Sequence, residues 1–305
     1  MSEQSVISGM EALRDWRNDR TCQDSRRVYP LGTSALGGIE CAPGQILLLG
    51  GPPGAGKTGL AMQGTVDALR LCTDVRALVC NVEMPPAALL ERQIARLSGV
   101  PLTRIRNRQT SPEEADVMER AIATLESIAS RLSFLRPPFE LECVARGADT
   151  VGANLIVLDY LQRFRIGEGE EARHGVNRLM DMLRQFADAG MAIMVLSAVG
   201  RTRDSKGRSS YAGEGLNLAS FRESSEIEFG ADNAYILHDE DREASTVLLR
   251  HLKSRYGECR DIALHFNRPI QRFEDVDSSE VAESLAEPME DASSLDELGT
   301  LWNGA

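Results

Sequence analysis

The stretch Gly51-Pro52-Pro53-Gly54-Ala55-Gly56-Lys57-Thr58-Gly59 sets residue types in the order that a phosphate cradle requires. Glycines let backbone N–H groups curl around phosphate oxygens, and a helix starting at the loop adds the positive end of its dipole. Lys57 is spaced to reach the β- and γ-phosphates, and the Thr58 hydroxyl to bind Mg²⁺. The alternative is a chance Gly-rich turn. It would lack the flanks found here, the apolar run Ile46 to Leu49 before the loop and the helix-like Leu60-Ala61-Met62 after it. The pattern is that of a P-loop.

Two carboxylates fall where such a loop needs them. Asn154 to Asp159 is a buried-strand pattern closing on an acid, about 100 residues after the P-loop. Asp159 would hold Mg²⁺ through its water shell while Thr58 binds the ion directly. Val75 to Asn81 is a second short apolar strand, and Glu83 lies just past its carboxyl end, where ligands of open parallel α/β sheets sit. Glu83 there either polarises the water that attacks the γ-phosphate or is a carboxylate at the start of the next helix.

The elements that must position these groups alternate. Helix periodicity covers Ala87 to Leu97, and Ser111, Pro112 and Glu114 form an explicit helix start. A helix from about Ala172 to Ala189 leads into the strand Met191 to Ser197, and such alternation predicts a mainly parallel sheet with right-handed crossovers. Three β-like runs close the core, Ala234 to His238, Thr246 to Leu252 and Ile262 to Phe266; the last two flank a hairpin tip bearing Lys253 and Arg255. Between Arg201 and Arg222 lies a Gly- and Ser-rich basic stretch carrying Arg203, Lys206 and Arg208. It is read either as a contact for the phosphates of single-stranded nucleic acid or as a solvated loop.

The 305 residues carry a net charge of −12, but ten carboxylates lie between 274 and 305 without one Lys or Arg, leaving −2 for the rest. Attraction of nucleic acid therefore depends on local basic segments. The acidic tail is expected to be disordered but for a short helix near Leu295 to Trp302. At the other end, Ile7, Met10, Leu13 and Trp16 form a narrow apolar stripe on a short helix, to be covered by a neighbouring subunit or by the chain's own core. The segmentation expected is an N-terminal helix and linker over 1–27, a core over 28–275 and the tail over 276–305. Six cysteines without C-x-x-C spacing, no apolar run near ~18 residues and no signal pattern place the chain in the cytoplasm with reduced thiols and no membrane contact.

The segments NVEMPPAALLERQIARLSGV, LIVLDYLQRF, VLSAVGR, FRESSEIEFGAD and HLKSRYGECRDIALHFNRPIQRFED, in this order and spacing, resemble the C-terminal motor domain of DnaB-type replicative helicases over about Val28 to Asp275. The resemblance implies a RecA-like α/β fold, a P-loop NTPase with a mainly parallel central sheet flanked by helices and a C-terminal β-hairpin. It further implies ATP and Mg²⁺ as cofactors, a homo-hexameric ring, ATP sites shared between neighbours, and single-stranded DNA as partner. Carried onto this chain, Glu83 is the catalytic carboxylate, and Lys253 and Arg255 match a K-x-R hairpin that reaches the γ-phosphate of the adjacent subunit. Arg222, Glu223 and Ser224 match a loop lining the channel, with Arg201, Arg203, Lys206 and Arg208 as further DNA-facing cations.

Two positions depart from the family pattern. Ala198 stands where a glutamine senses the nucleotide and couples it to the DNA loops, and Ser225 replaces a glycine. The family's N-terminal collar domain has no counterpart in the roughly 27 residues before the core, so the expectation is a stand-alone motor domain. The protein partners expected at the tail or the N-terminal helix follow from their apolar residues. A regulatory or scaffold ATPase of the KaiC or RadA kind, in which ATP sets assembly without strand unwinding, is the alternative.

Overall fold

The computed structural model describes residues 7–21, 28–164, 172–199, 202–203, 209–210, 217–221, 230–241 and 245–276. The tail helix expected near Leu295 to Trp302 lies outside them, as do Arg201, Lys206, Arg208, Arg222, Glu223, Ser224 and Ser225.

Eleven strands and seven helices occur among the described residues. The strands are β1 (Ile46–Gly51), β2 (Ala77–Asn81), β3 (Leu132–Phe134), β4 (Leu155–Asp159), β5 (Ala192–Ala198), β6 (Thr202–Arg203), β7 (Ser209–Ser210), β8 (Asn233–Asp241), β9 (Thr246–Ser254), β10 (Ile262–Asn267) and β11 (Arg272–Asp275). The helices are α1 (Gly9–Thr21), α2 (Lys57–Leu71), α3 (Pro86–Ser98), α4 (Leu102–Arg106), α5 (Pro112–Ala129), α6 (Leu141–Val151) and α7 (Ala172–Asp188). Nine strands form one sheet in the order β11-β10-β9-β8-β1-β5-β4-β2-β3. From β8 to β3 every pairing is parallel; β9, β10 and β11 extend the sheet antiparallel. The parallel sheet with a terminal hairpin is therefore six parallel strands plus a three-stranded antiparallel wing, because β11 adds itself to the β9–β10 hairpin.

The parallel strands are apolar on both faces, and their alternate residues feed two cores. Leu47, Leu49, Val79, Val157 and Met194 pack with α2, α3 and α5 on one face. Ile46, Leu48, Leu78, Cys80, Ile156 and Leu158 pack with α6 and α7 on the other. The start of α5 is the expected capping box: Glu114 N donates to Ser111 Oγ at 3.2 Å, and Ser111 N donates to Glu114 Oε2 at 2.8 Å. The end of α2 is closed from a distance. Arg131 donates to Leu69 O at 2.7 Å and Cys72 O at 2.8 Å, satisfying carbonyls that the helix leaves over, and to Val75 O at 3.1 Å in the turn beyond it.

The stripe does not enter the core: Ile7, just before α1, and Met10, Leu13 and Trp16 on it are 62%, 68%, 53% and 55% exposed. No helix among the described residues is long and apolar enough to cross a membrane.

Candidate active site

The P-loop leaves the carboxyl end of β1 and is shaped by glycine. Gly51 adopts φ +154°, and a Cβ there would stand 2.4 Å from Leu237 O on β8. Gly56, the residue before α2, adopts φ +99°, and a Cβ would meet the rings of Phe273 at 2.8 Å and Phe266 at 2.9 Å. Those rings stack with centroids 4.0 Å apart and planes 2° apart, so an aromatic plate from β10 and β11 underlies the loop. Gly54 faces open space.

Lys57 turns its ammonium back over the loop, donating to Gly51 O at 2.7 Å and Pro52 O at 3.0 Å. Burial holds its pKa below the usual lysine value, against the opposing charges of Asp159 and Glu83. Thr58 Oγ1 donates to Asp159 Oδ2 at 2.7 Å, and Asn81 Nδ2 donates to the same oxygen at 2.5 Å. Asn81 and Asp159 are register partners at the ends of β2 and β4. The other atom of the Asn81 carboxamide, Oδ1, accepts from Glu83 N at 2.9 Å and Met84 N at 2.7 Å, which pins the turn carrying Glu83. Burial raises the Asp159 carboxyl to about 6; the Thr58 bond and Lys57 oppose the rise, and Glu83 adds to it.

These groups border one cleft of about 540 Å³ at the carboxyl edge of the parallel strands, lined by Gly54, Gly56, Lys57, Thr58, Glu83, Asp159 and Ala198 among others. Four more of its residues had no role assigned in the sequence. Arg92 of α3 is held below the usual guanidinium range by burial and by Arg106. Arg268 donates to Gly54 O at 3.2 Å, pairs with Asp239 and lies 4.8 Å over the Phe266 ring. Tyr160 and Gln271 complete the wall. Arg92 carried no signal beyond its helix. Arg268 announced itself only as a charge beside Pro269 after an apolar run.

Lys253 and Arg255 are not in this cleft. Ala234 pairs with Lys253 and Asn233 with Ser254, so both cations lie at the edge of the sheet where β1 and β8 begin. Arg255 N donates to Asp232 O at 2.9 Å, and its guanidinium pairs with Asp232 Oδ1 at 2.9 Å. Asp232 Oδ2 accepts from Ile46 N at 2.8 Å and from Arg184 at 2.9 Å. The six residues of β1 put roughly 20 Å between this edge and the P-loop. Of the seven DNA-facing residues expected, only Arg203 is described, on β6, whose backbone pairs with β7.

The cleft fits a nucleoside triphosphate with its ion. An open loop with a lysine at its mouth suits polyphosphate, and a hydroxyl beside a carboxylate is a hard-oxygen pair of the kind Mg²⁺ takes alongside phosphate oxygens and water.

Known proteins match the same residues. The family model "DnaB-like helicase C terminal domain" covers residues 34–275. A probable plasmid replicative DNA helicase of Chlamydia trachomatis is 25% identical over 255 residues, 81% of this chain and 54% of that protein. The replicative DNA helicase DnaB of Buchnera aphidicola is 26% identical over 245 residues, 76% of this chain and 51% of that protein. This chain thus spans about half the length of the curated relatives it matches. Among solved structures, one of an ATPase domain superposes with a TM-score of 0.75 at 17% identity, covering 89% of this chain and 99% of that one. A DnaB-like replicative helicase studied with primase gives the same score and identity over 89% of this chain and 67% of its own. The fold is that of a RecA-like P-loop ATPase, and with its model matched over most of its length this chain belongs to the family of DnaB-like helicase C-terminal domains.

Proposed function

We propose that the chain is an Mg²⁺-dependent ATPase that works in a ring, most simply a homo-hexamer, and moves along single-stranded DNA. Lys57 and the amides of Gly51 to Gly59 hold the phosphates. Thr58 and Asp159 would hold Mg²⁺, and Glu83 would polarise the attacking water from the turn that Asn81 fixes. Bound there, the ion would neutralise phosphate charge that develops during transfer.

One observation carries the shared site: Lys253 and Arg255 lie at the edge opposite the chain's own P-loop, so any γ-phosphate they stabilise belongs to a neighbour. The exposed stripe of α1 gives that neighbour an apolar face to cover. The scaffold reading retains one specific support, the methyl of Ala198 lining the cleft where a polar sensor would reach the nucleotide.

ATP hydrolysis measured with and without single-stranded DNA separates the two. The motor requires binding at low salt and faster turnover with DNA; a chain that neither binds nor accelerates is the scaffold. Replacing Arg201, Arg203 and Arg222 together by Ala should remove the acceleration, keep basal hydrolysis, and lower the log–log salt slope by about 0.7 per lost phosphate contact.

A further inference from the structure

The backbone ladder between β4 and β5 ends at Leu158 and Val195, yet the two strands stay tied beyond it. Gln162 sits on a 3-10 turn, Leu161–Arg163, three residues past Asp159. Its Nε2 donates to Ser197 Oγ at 2.8 Å, and its Oε1 accepts from Ala198 N at 3.4 Å, near the long limit for such a bond. One carboxamide thus continues the cross-strand pairing where main-chain bonds stop. Ser197 is fully buried, and its hydroxyl in turn donates a hydrogen bond to Ala198 O at 3.2 Å.

The connection runs onward. Val199 forms an isolated bridge with Phe221, whose ring lies so close to Gly50 that a Cβ there would be 2.4 Å away. Phe221 is the last described residue before Arg222. Ala198 offers only a methyl to the nucleotide cleft, so it cannot report the state of the phosphates by a side-chain hydrogen bond. The polar contact between the strand that ends in Asp159 and the strand that leads to Phe221 comes instead from the far side of β5.

We propose that Gln162 is a positioning residue that transmits nucleotide occupancy from the Asp159 end of β4 to the outgoing end of β5. The inference rests on a nucleotide binding at Gly51 to Gly59 and not on the identity of the polymer that the chain acts on. A shift of Asp159 on nucleotide binding would move the turn after it, and the two bonds of Gln162 would carry that shift to Ser197 and Ala198. A carboxamide can donate to one and accept from the other at the same time.

Amide hydrogen exchange of the full chain, with and without Mg²⁺ and a non-hydrolysable ATP analogue, tests this. In the unaltered protein the analogue should slow exchange at Gly54 to Thr58 and also, by about fivefold or more, at Ala198, Val199 and Phe221. Gln162→Ala should keep the first protection and the analogue's affinity and lose the second. Gln162→Glu keeps the acceptor and the bulk but cannot donate to Ser197; it should lose the second protection too, and serves if the alanine variant does not fold. A merely structural role would lower the melting temperature of both variants and leave the analogue-dependent difference intact, which overturns the proposal. Protection confined to the P-loop in the unaltered protein also overturns it. An unaltered protein protected at neither place would overturn the nucleotide site itself, and this inference with it.

Discussion

Two buried aspartates stand at opposite edges of the same sheet, and their surroundings differ in kind. Asp232, fully buried before β8, accepts from Ile46 N and pairs with both Arg184 and Arg255. Asp159, 5% exposed at the end of β4, accepts among the described residues from the neutral donors Thr58 and Asn81, and its carboxyl is pushed up to about 6. The first carboxylate faces two arginines and fastens β1, β8, α7 and the β9 hairpin together. The second has no direct ion pair among the described residues, only the more distant charges of Lys57 and Arg92, and it is the one beside the P-loop. A buried acid left with neutral partners is held at a cost in stability that a metal can offset, whereas one wrapped in arginines already has its counter-charge.

The largest effects should fall on chemistry at the Asp159 edge. Glu83→Gln should lower ATP turnover about 10³-fold while a fluorescent nucleotide still binds; Lys57→Ala should abolish binding altogether. Normal hydrolysis by Glu83→Gln would remove that carboxylate from the mechanism. Arg255→Ala should also cost about 10³-fold, although it lies at the other edge. Mixing it with Glu83→Gln subunits should return part of the activity, and a mixture with no recovery would break the idea of a site shared across the two edges.

Stability should separate the aspartates by sign. Asp232→Asn leaves two partly exposed arginines facing a neutral amide and should destabilise the chain by about 1–3 kcal/mol in urea unfolding. Asp159→Asn should stabilise the nucleotide-free chain at pH 7.5, by up to about 3 kcal/mol from the pKa difference, while ending Mg²⁺-dependent hydrolysis. The sign follows from a folded value above the unfolded one: this group favours folding below about pH 4, and the contribution is lost as pH rises through about 6. Asp159→Asn that melts earlier than the parent would show that its carboxylate is already satisfied. The smallest effect is the pH dependence of ligand stabilisation. Mg²⁺ with ADP should raise the melting temperature by more at pH 7.5 than at pH 5, where protons compete for Asp159.

The Asp159 edge was legible in the sequence and the Asp232 edge was not, and the reason is range. Strand, P-loop, Lys57, Thr58 and helix are contiguous, and Ser111 with Glu114 marks α5 locally. Asp232 gains its meaning from Ile46, Arg184 and Arg255, three segments that nothing local connects to it. β11 was missed for a related reason. Only Phe273 in Arg272–Asp275 is apolar, and the strand is fixed by β10 and by Gln63, which donates to Phe273 O at 2.8 Å and accepts from Phe273 N at 2.9 Å. The helix α6 was readable in principle, since Leu141, Val144 and Ala148 fall on one face, but its start has no side-chain cap. The division into linker, core and tail stays an expectation for limited proteolysis to examine.

The aromatic plate under Gly56 makes positions 56, 266 and 273 one steric unit drawn from three separate stretches of chain. Adding a methyl at 56 would demand that both Phe266 and Phe273 give way and would still meet the φ of +99°. Drift at these sites must therefore be concerted: among descendants of this chain, a shrunken ring in the antiparallel wing is permitted with glycine retained, and the reverse order of change is closed.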